Sequence, residues 1–239
     1  MTQQPDLAPV WDHIEELRSR LFICLGFVLT AGLAFYQFVD PVLAFVIKPV
    51  GRLVFTSPAD AFVARVLLAI LGGLLTAMPV VLYQIWMFVA RGLKDSEKKF
   101  VRIYGPLSLL CFALGVAFAY YVALPISLKF LLGFSSEWLV PMITVKSYVS
   151  FLTSLVLACG LIFELPIVLI FLTAIGIATP EFLVQKRRHA IVLILIVSAV
   201  ITPPDVITLL IMSVPLVVLY EAGVIASRIT YRNKLAWER

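Results

Sequence analysis

Long apolar runs, separated by short charged stretches, set the pattern of this chain. A helix needs about 20 apolar residues to cross the hydrocarbon core of a membrane, and most of the runs reach that length. We therefore predict an all-α membrane protein with six transmembrane helices in a single domain, residues 1–239. The predicted spans are about 21–39, 66–90, 103–124, 148–175, 190–201 and 206–226.

The fifth predicted span is short. Its 12 residues would extend only about 18 Å as a helix, against a core about 30 Å thick. Either the side chains of Lys186, Arg187 and Arg188 snorkel to the interface or the bilayer thins locally. The segment is kept as a span because the charges of its flanking loops require a crossing there.

The charged residues indicate how the chain is oriented. Only 14% of residues are charged and 62% are hydrophobic, whereas soluble domains have about a quarter charged. Because the basic residues lie between apolar runs, the net charge of +5 reflects membrane topology and not nucleic-acid binding. The six-span topology places 14 of the 19 Lys and Arg on one side. The positive-inside rule then predicts an inner-membrane protein with both termini in the cytoplasm.

Catalytic and cofactor signatures are missing from the sequence. The two histidines, His13 and His189, lie outside the predicted membrane depth, which argues against an intramembrane zinc or Ser-His protease. No phosphate-binding loop of the Walker type precedes a helix. We expect no enzyme activity, no cofactor and no metal site.

One acid lies inside a predicted span. Glu164 is about halfway along the fourth span, where a charge costs about 3 kcal/mol on insertion scales and usually faces a cavity or a partner. Pro166 lacks an N–H and frees the carbonyl of Ile162 one turn earlier, which favours a polar notch in the helix. The alternative is a protonated glutamate with a packing role only.

Two acids on the basic side have local explanations. Glu97 opens the third span, where it would favour the positive end of a helix capped by Asp95 or Ser96. Glu16, just before the first span, is one helical turn from Arg20 and would pair with it.

Five short motifs resemble the TatC family, the core subunit of the twin-arginine protein translocase. The resemblance covers almost the whole chain, and the motifs occur in order at the expected places of a six-helix topology. They are His13–Arg20, Pro79–Phe88, Glu97–Lys99, Phe163–Pro166 and Thr202–Val206.

The resemblance implies a signal-peptide receptor and scaffold that exports folded proteins using the proton-motive force. It assigns Glu16, Glu97 and Phe88 to the site for twin-arginine signal peptides, together with Arg18 and Arg20 of the first motif. A guanidinium group binds a carboxylate through two parallel bonds that lysine cannot copy. Two separated carboxylates could therefore read two arginines.

The resemblance further implies a cupped bundle with short fifth and sixth helices. Glu164 would lie in its concave face, and Pro204 and Asp205 would form the last periplasmic turn. The implied partners are signal peptides of folded cargo, small single-helix translocase subunits near helices five and six, further copies of the chain and membrane lipid, but no nucleic acid.

Two positions depart from the family pattern. Arg91 stands where many members have proline, which would reshape the loop or place a competing charge near Glu97, and Leu209 stands where some members have glutamine. The competing hypothesis is a secondary transporter or channel with Glu164 as a proton or cation site. Transporters often contain two similar halves, and the sequence has no such repeat.

Overall fold

The computed structural model describes residues 8–94, 97–136, 138, 140–201 and 206–237, and these residues are predominantly helical. A 3-10 turn at Tyr36–Phe38 joins the first two helices, and a π-helical turn at Ala119–Ala123 joins the fourth and fifth. The helices are α1 (Ala8–Phe35), α2 (Val39–Val46), α3 (Pro58–Arg91), α4 (Lys98–Phe118), α5 (Leu124–Leu132), α6 (Val145–Ile162), α7 (Leu165–Ala174), α8 (Pro180–Gln185), α9 (Arg187–Ile201) and α10 (Val206–Trp237).

Five helical stretches in the described part of the chain are long and apolar enough to cross a membrane. They are His13–Val46, Pro58–Arg91, Lys98–Leu132, Val145–Ala174 and Met212–Arg232. The predicted fifth span coincides with α9, whose 15 residues reach about 22 Å. The structure thus supports an all-α, multi-pass membrane protein, while the sixth crossing stays a prediction.

The last helix is longer than the sequence predicted. The predicted span ended at Ala226, where the apolar run stops, but α10 continues to Trp237 and has 32 residues. Polar residues do not end a helix by themselves, and Arg, Lys and Gln are good helix formers. The apolar run therefore measures the segment suited to lipid, not the length of the helix.

Two prolines explain the interruptions in the middle of the chain. Pro125 cannot donate to the carbonyl of Tyr121, and the backbone widens into the π-helical turn between α4 and α5 there. Pro166 is the second residue of α7, and the helix breaks between Ile162 and Leu165. The predicted notch beside Glu164 is present as this break.

Close contact between α1 and α3 depends on small residues. A Cβ atom on Gly73 would lie 2.4 Å from the Cα atom of Gly32, so the α1 backbone leaves no room for a side chain at Gly73. Such small-residue crossings are typical of membrane helices. The antiparallel packing sets the start of α1 beside the end of α3, and the candidate site lies there.

Candidate functional site

Matching faces of α1 and α3 form the site. Phe88 stacks on His13 with ring centroids 4.3 Å apart, and Gln84, one turn earlier on α3, accepts a 2.6 Å hydrogen bond from Nη1 of Arg20. Residues three and four apart share one face of a helix. His13, Glu16 and Arg20 therefore line one side of the site, and Gln84, Phe88 and Arg91 line the other.

The Glu16 carboxylate is the centre of this cluster. Its Oε1 atom lies 2.6 Å from Nε of Arg20 and 2.8 Å from Nε of Arg91. Only 8% of the Glu16 side chain is exposed, so the carboxylate is covered as well as charge-paired. The predicted pairing with Arg20 is confirmed, and it is accompanied by a second guanidinium from another helix.

An open cavity of about 500 Å³ adjoins the carboxylate. Its lining is mostly polar and charged, with two carboxylates from α1 and one guanidinium from each helix. The lining residues are Glu15, Glu16, Ser19, Arg20, Ile23, Gln84 and Arg91. A space of this size accommodates one or two extended side chains, which suits recognition of a peptide segment more than a large folded surface.

The other acid of the implied site has local contacts. Glu97 occupies the position just before α4, and its Oε2 atom accepts a 3.2 Å hydrogen bond from the backbone N–H of Lys94. The predicted place at the start of this helix is confirmed, whereas Asp95 and Ser96 lie outside the described residues. The exposed Arg18 extends over the Phe22 ring, 5.6 Å from its centroid, away from the Glu16 contacts.

The structure places Glu164 at the break between α6 and α7, half-buried against α4. The Ser108 hydroxyl is within reach of its carboxyl and also accepts a 3.1 Å hydrogen bond from Nε1 of Trp86. Among the described residues, the buried Oε1 atom of Glu164 has no hydrogen-bond partner. The notch therefore leaves part of the hydrogen-bonding capacity of this acid unsatisfied.

Pro204 and Asp205 lie outside the described residues. Glu221 forms an ion pair of 2.7 Å with Arg187, which gives it a structural partner between α9 and α10. Within the described ranges no group of three His, Cys, Asp or Glu side chains is arranged to hold a metal ion.

Sequence reasoning missed two members of the Glu16 cluster. Gln84 was only part of a motif, and Arg91 was expected as a competing charge near Glu97, whereas its guanidinium binds Glu16. The signal available was the spacing of Gln84, Phe88 and Arg91, which places all three on one face of α3. The register of α1 against that face is a tertiary property that local spacing does not contain.

Comparison with known proteins identifies the family. The family model for the Sec-independent protein translocase protein TatC matches residues 12–215. The TatC protein of Carboxydothermus hydrogenoformans is 35% identical over 96% of this chain and 97% of its own length, and that of Aquifex aeolicus is 37% identical over 95% and 97%. Bacillus subtilis TatCy is 36% identical over 93% of this chain and 89% of its own.

A solved structure agrees with these sequence matches. The crystal structure of a twin-arginine translocase receptor TatC superposes with a TM-score of 0.83 at 35% identity, covering 91% of this chain and 99% of that one. The family model, the full-length relatives and the shared fold lead to one conclusion: this chain belongs to the TatC family of Sec-independent protein translocase proteins.

Proposed function

We propose that this chain is the signal-peptide receptor and scaffold of its translocase, binding twin-arginine signal peptides of folded cargo for export driven by the proton-motive force. TatC proteins are translocase components and not enzymes, and the solved relative is a twin-arginine translocase receptor. Membership of this family also argues against the small-solute transporter.

The single observation that carries the proposal is the occupancy of Glu16. Its carboxylate already binds two guanidinium groups, at 2.6 and 2.8 Å, beside a cavity open to a peptide. Charge-assisted bonds between guanidinium and carboxylate are short and directional. A position that selects arginine inside the protein has the chemistry needed to select arginine in a signal peptide.

Glu97 supplies the second acid of the proposed site. It lies at the N-terminal end of α4, in the segment that follows the helix carrying Phe88 and Arg91. Its side chain is only partly covered, so a peptide arginine can reach it. We assign Glu97 to one arginine of the pair and Glu16 to the other.

The test is binding of a fluorescent twin-arginine signal peptide to the purified protein in detergent. We expect Glu16→Ala or Glu97→Ala to weaken binding by about tenfold or more at a desolvated site, because a charge-assisted bond is lost. Glu181→Ala, which removes an acid from the exposed face of α8, is the matched control and should bind normally. Normal binding by both site variants would rule out the assignment.

The proposed orientation places both termini and the Glu16 site in the cytoplasm, following the distribution of Lys and Arg. Reporter fusions after Arg239 and within residues 92–98 should read as cytoplasmic, and a fusion near Ser136 as periplasmic. A periplasmic C-terminus would overturn the six-span topology.

Glu164 and the last two helices form the proposed contact region for partners. The unsatisfied oxygen of Glu164 favours a polar contact with a small single-helix subunit, and we place such subunits near α9 and α10. Self-association and membrane lipid complete the proposed surroundings. Pro204 and Asp205 belong to the proposed periplasmic turn between these helices.

A further inference from the structure

The site proposed for signal peptides is already filled by the protein's own arginines. Both guanidinium nitrogens meet the same atom, Oε1 of Glu16, from Arg20 at 2.6 Å and from Arg91 at 2.8 Å. Because the Glu16 side chain is only 8% exposed, an incoming guanidinium group that binds at Oε1 must move one of these two aside. Resting on the proposed function, we propose that Arg91 is an internal competitor for Glu16 and that a signal-peptide arginine binds by replacing it.

Arg20 is the fixed member of the pair. It lies one turn after Glu16 on the same helix, its side chain is 13% exposed, and its Nη1 atom donates a second bond of 2.6 Å to Gln84. Displacing Arg20 would break contacts to two helices and uncover a buried cation. Arg20 therefore stays in place and orients the carboxylate.

Arg91 is the exchangeable member. Its side chain is 62% exposed, and it is the last residue of α3, followed by Gly92. A cation at the C-terminus of a helix interacts favourably with the unpaired carbonyls there. Once displaced, the Arg91 guanidinium keeps this interaction and gains water, so its release costs little.

Exchange of this kind sets how tightly a peptide binds, whereas the geometry of the Glu16 carboxylate sets which peptide binds better. A peptide arginine replaces Arg91 with an identical group, so bonds lost and gained are matched. A peptide lysine offers a point charge without the planar fork and would replace a better-matched group with a poorer one. The cost of displacing Arg91 is the same for either peptide, so Arg91 lowers both affinities by the same factor and the preference for arginine comes from the Glu16 carboxylate.

The experiment titrates labelled twin-arginine and twin-lysine peptides into the wild-type protein and Arg91→Gln. We expect Arg91→Gln to bind the twin-arginine peptide about two- to fivefold more tightly, within the range of a partly exposed ion pair. The twin-lysine peptide should gain by the same factor, because both peptides displace the same group, so the ratio of the two affinities should not change. Arg102→Gln, on the exposed face of α4, removes the same charge and should leave both affinities nearly unchanged.

The same substitution in a Glu16→Gln background tests whether Arg91 acts through its contact with Glu16. If Arg91 acts through the Glu16 carboxylate, Arg91→Gln should change binding little when Glu16→Gln is already present, because the two effects then couple as in a double-mutant cycle. An equal gain in peptide affinity in both backgrounds would contradict the proposal that Arg91 competes for Glu16. Unchanged or weaker binding by Arg91→Gln alone would contradict it too. Failure of the wild type to prefer arginine would overturn the proposed function instead.

Discussion

Glu16 and Glu164 are the same residue type in opposite surroundings. Glu16 lies at the start of α1, with two guanidiniums on one carboxylate oxygen. Glu164 lies at the break between α6 and α7, and its buried Oε1 atom has no hydrogen-bond partner among the described residues. One acid is paired with two cations at its Oε1 atom, while the other is held in a notch next to a serine hydroxyl.

Their different surroundings suit the two acids to different functions. A paired carboxylate at a polar surface recognises cations by exchange, so its charge and the geometry of its partners matter most. An incompletely satisfied acid among apolar helices is costly, so it usually contacts water or a partner. We therefore expect changes at Glu16 to alter peptide recognition and changes at Glu164 to alter transport without altering recognition.

The largest expected effect is loss of transport in Glu164→Ala. Removing the carboxyl deletes the polar contact of the notch, and we expect export to fall by about tenfold or more, in line with a lost buried hydrogen bond. Signal-peptide binding should stay within about twofold, since the sites do not share contacts. Cargo transport into inverted membrane vesicles and peptide titration measure the two quantities.

Glu164→Gln is the matched control for that substitution. It keeps a hydrogen-bonding group without the charge, so its loss of transport should be clearly smaller. Full transport by Glu164→Ala would leave this acid with a packing role only.

A smaller effect is expected beside Glu164, at Ser108. Ser108→Ala removes the acceptor of the Trp86 indole N–H and a group within reach of Glu164, leaving a buried donor unpaired. We expect a loss of about 1–2 kcal/mol of stability, measured as thermal unfolding in detergent.

Ser127→Ala provides the control because Ser127 is equally buried and its hydroxyl has no partner among the described residues. It should be nearly neutral. Equal losses of stability from both substitutions would mean that the hydrogen bond from Trp86 does not stabilise the notch beside Glu164.

The smallest expected effect is the response of peptide affinity to salt. Raising the ionic strength from about 0.05 to 0.5 M should weaken binding a few-fold, because exposed charges are screened within about 10 Å or less. In Glu16→Gln this dependence should be shallower. If the salt dependence of peptide affinity is identical in the wild-type protein and in Glu16→Gln, the charge that the peptide recognises is not that of Glu16.

Local sequence predicts much of the fold but not the packing of α1 against α3. Apolar runs locate the helices, and Pro166 locates the break beside Glu164, because both follow from the chemistry of neighbouring residues. The extension of α10 to Trp237 was missed because helix formation continues after the apolar run ends.

In the candidate site, too, contacts within one helix were predictable from the sequence and contacts between helices were not. The pairing of Glu16 with Arg20 follows from their separation of one helical turn. The approach of Arg91 and Gln84 depends on how α1 crosses α3, which the Gly32 and Gly73 contact permits. Distant residues meet through packing, and no local periodicity in one segment specifies its register against another.

The most direct test measures how well each acid variant distinguishes a twin-arginine from a twin-lysine signal peptide. Glu16→Gln and Glu164→Gln make the same change at the two acids, so each controls for the other. We predict that Glu16→Gln loses most of the preference for arginine, whereas Glu164→Gln keeps it, because only Glu16 is bound by guanidinium groups. Full preference in Glu16→Gln, or its loss in Glu164→Gln, would contradict the assignment of arginine recognition to the paired acid.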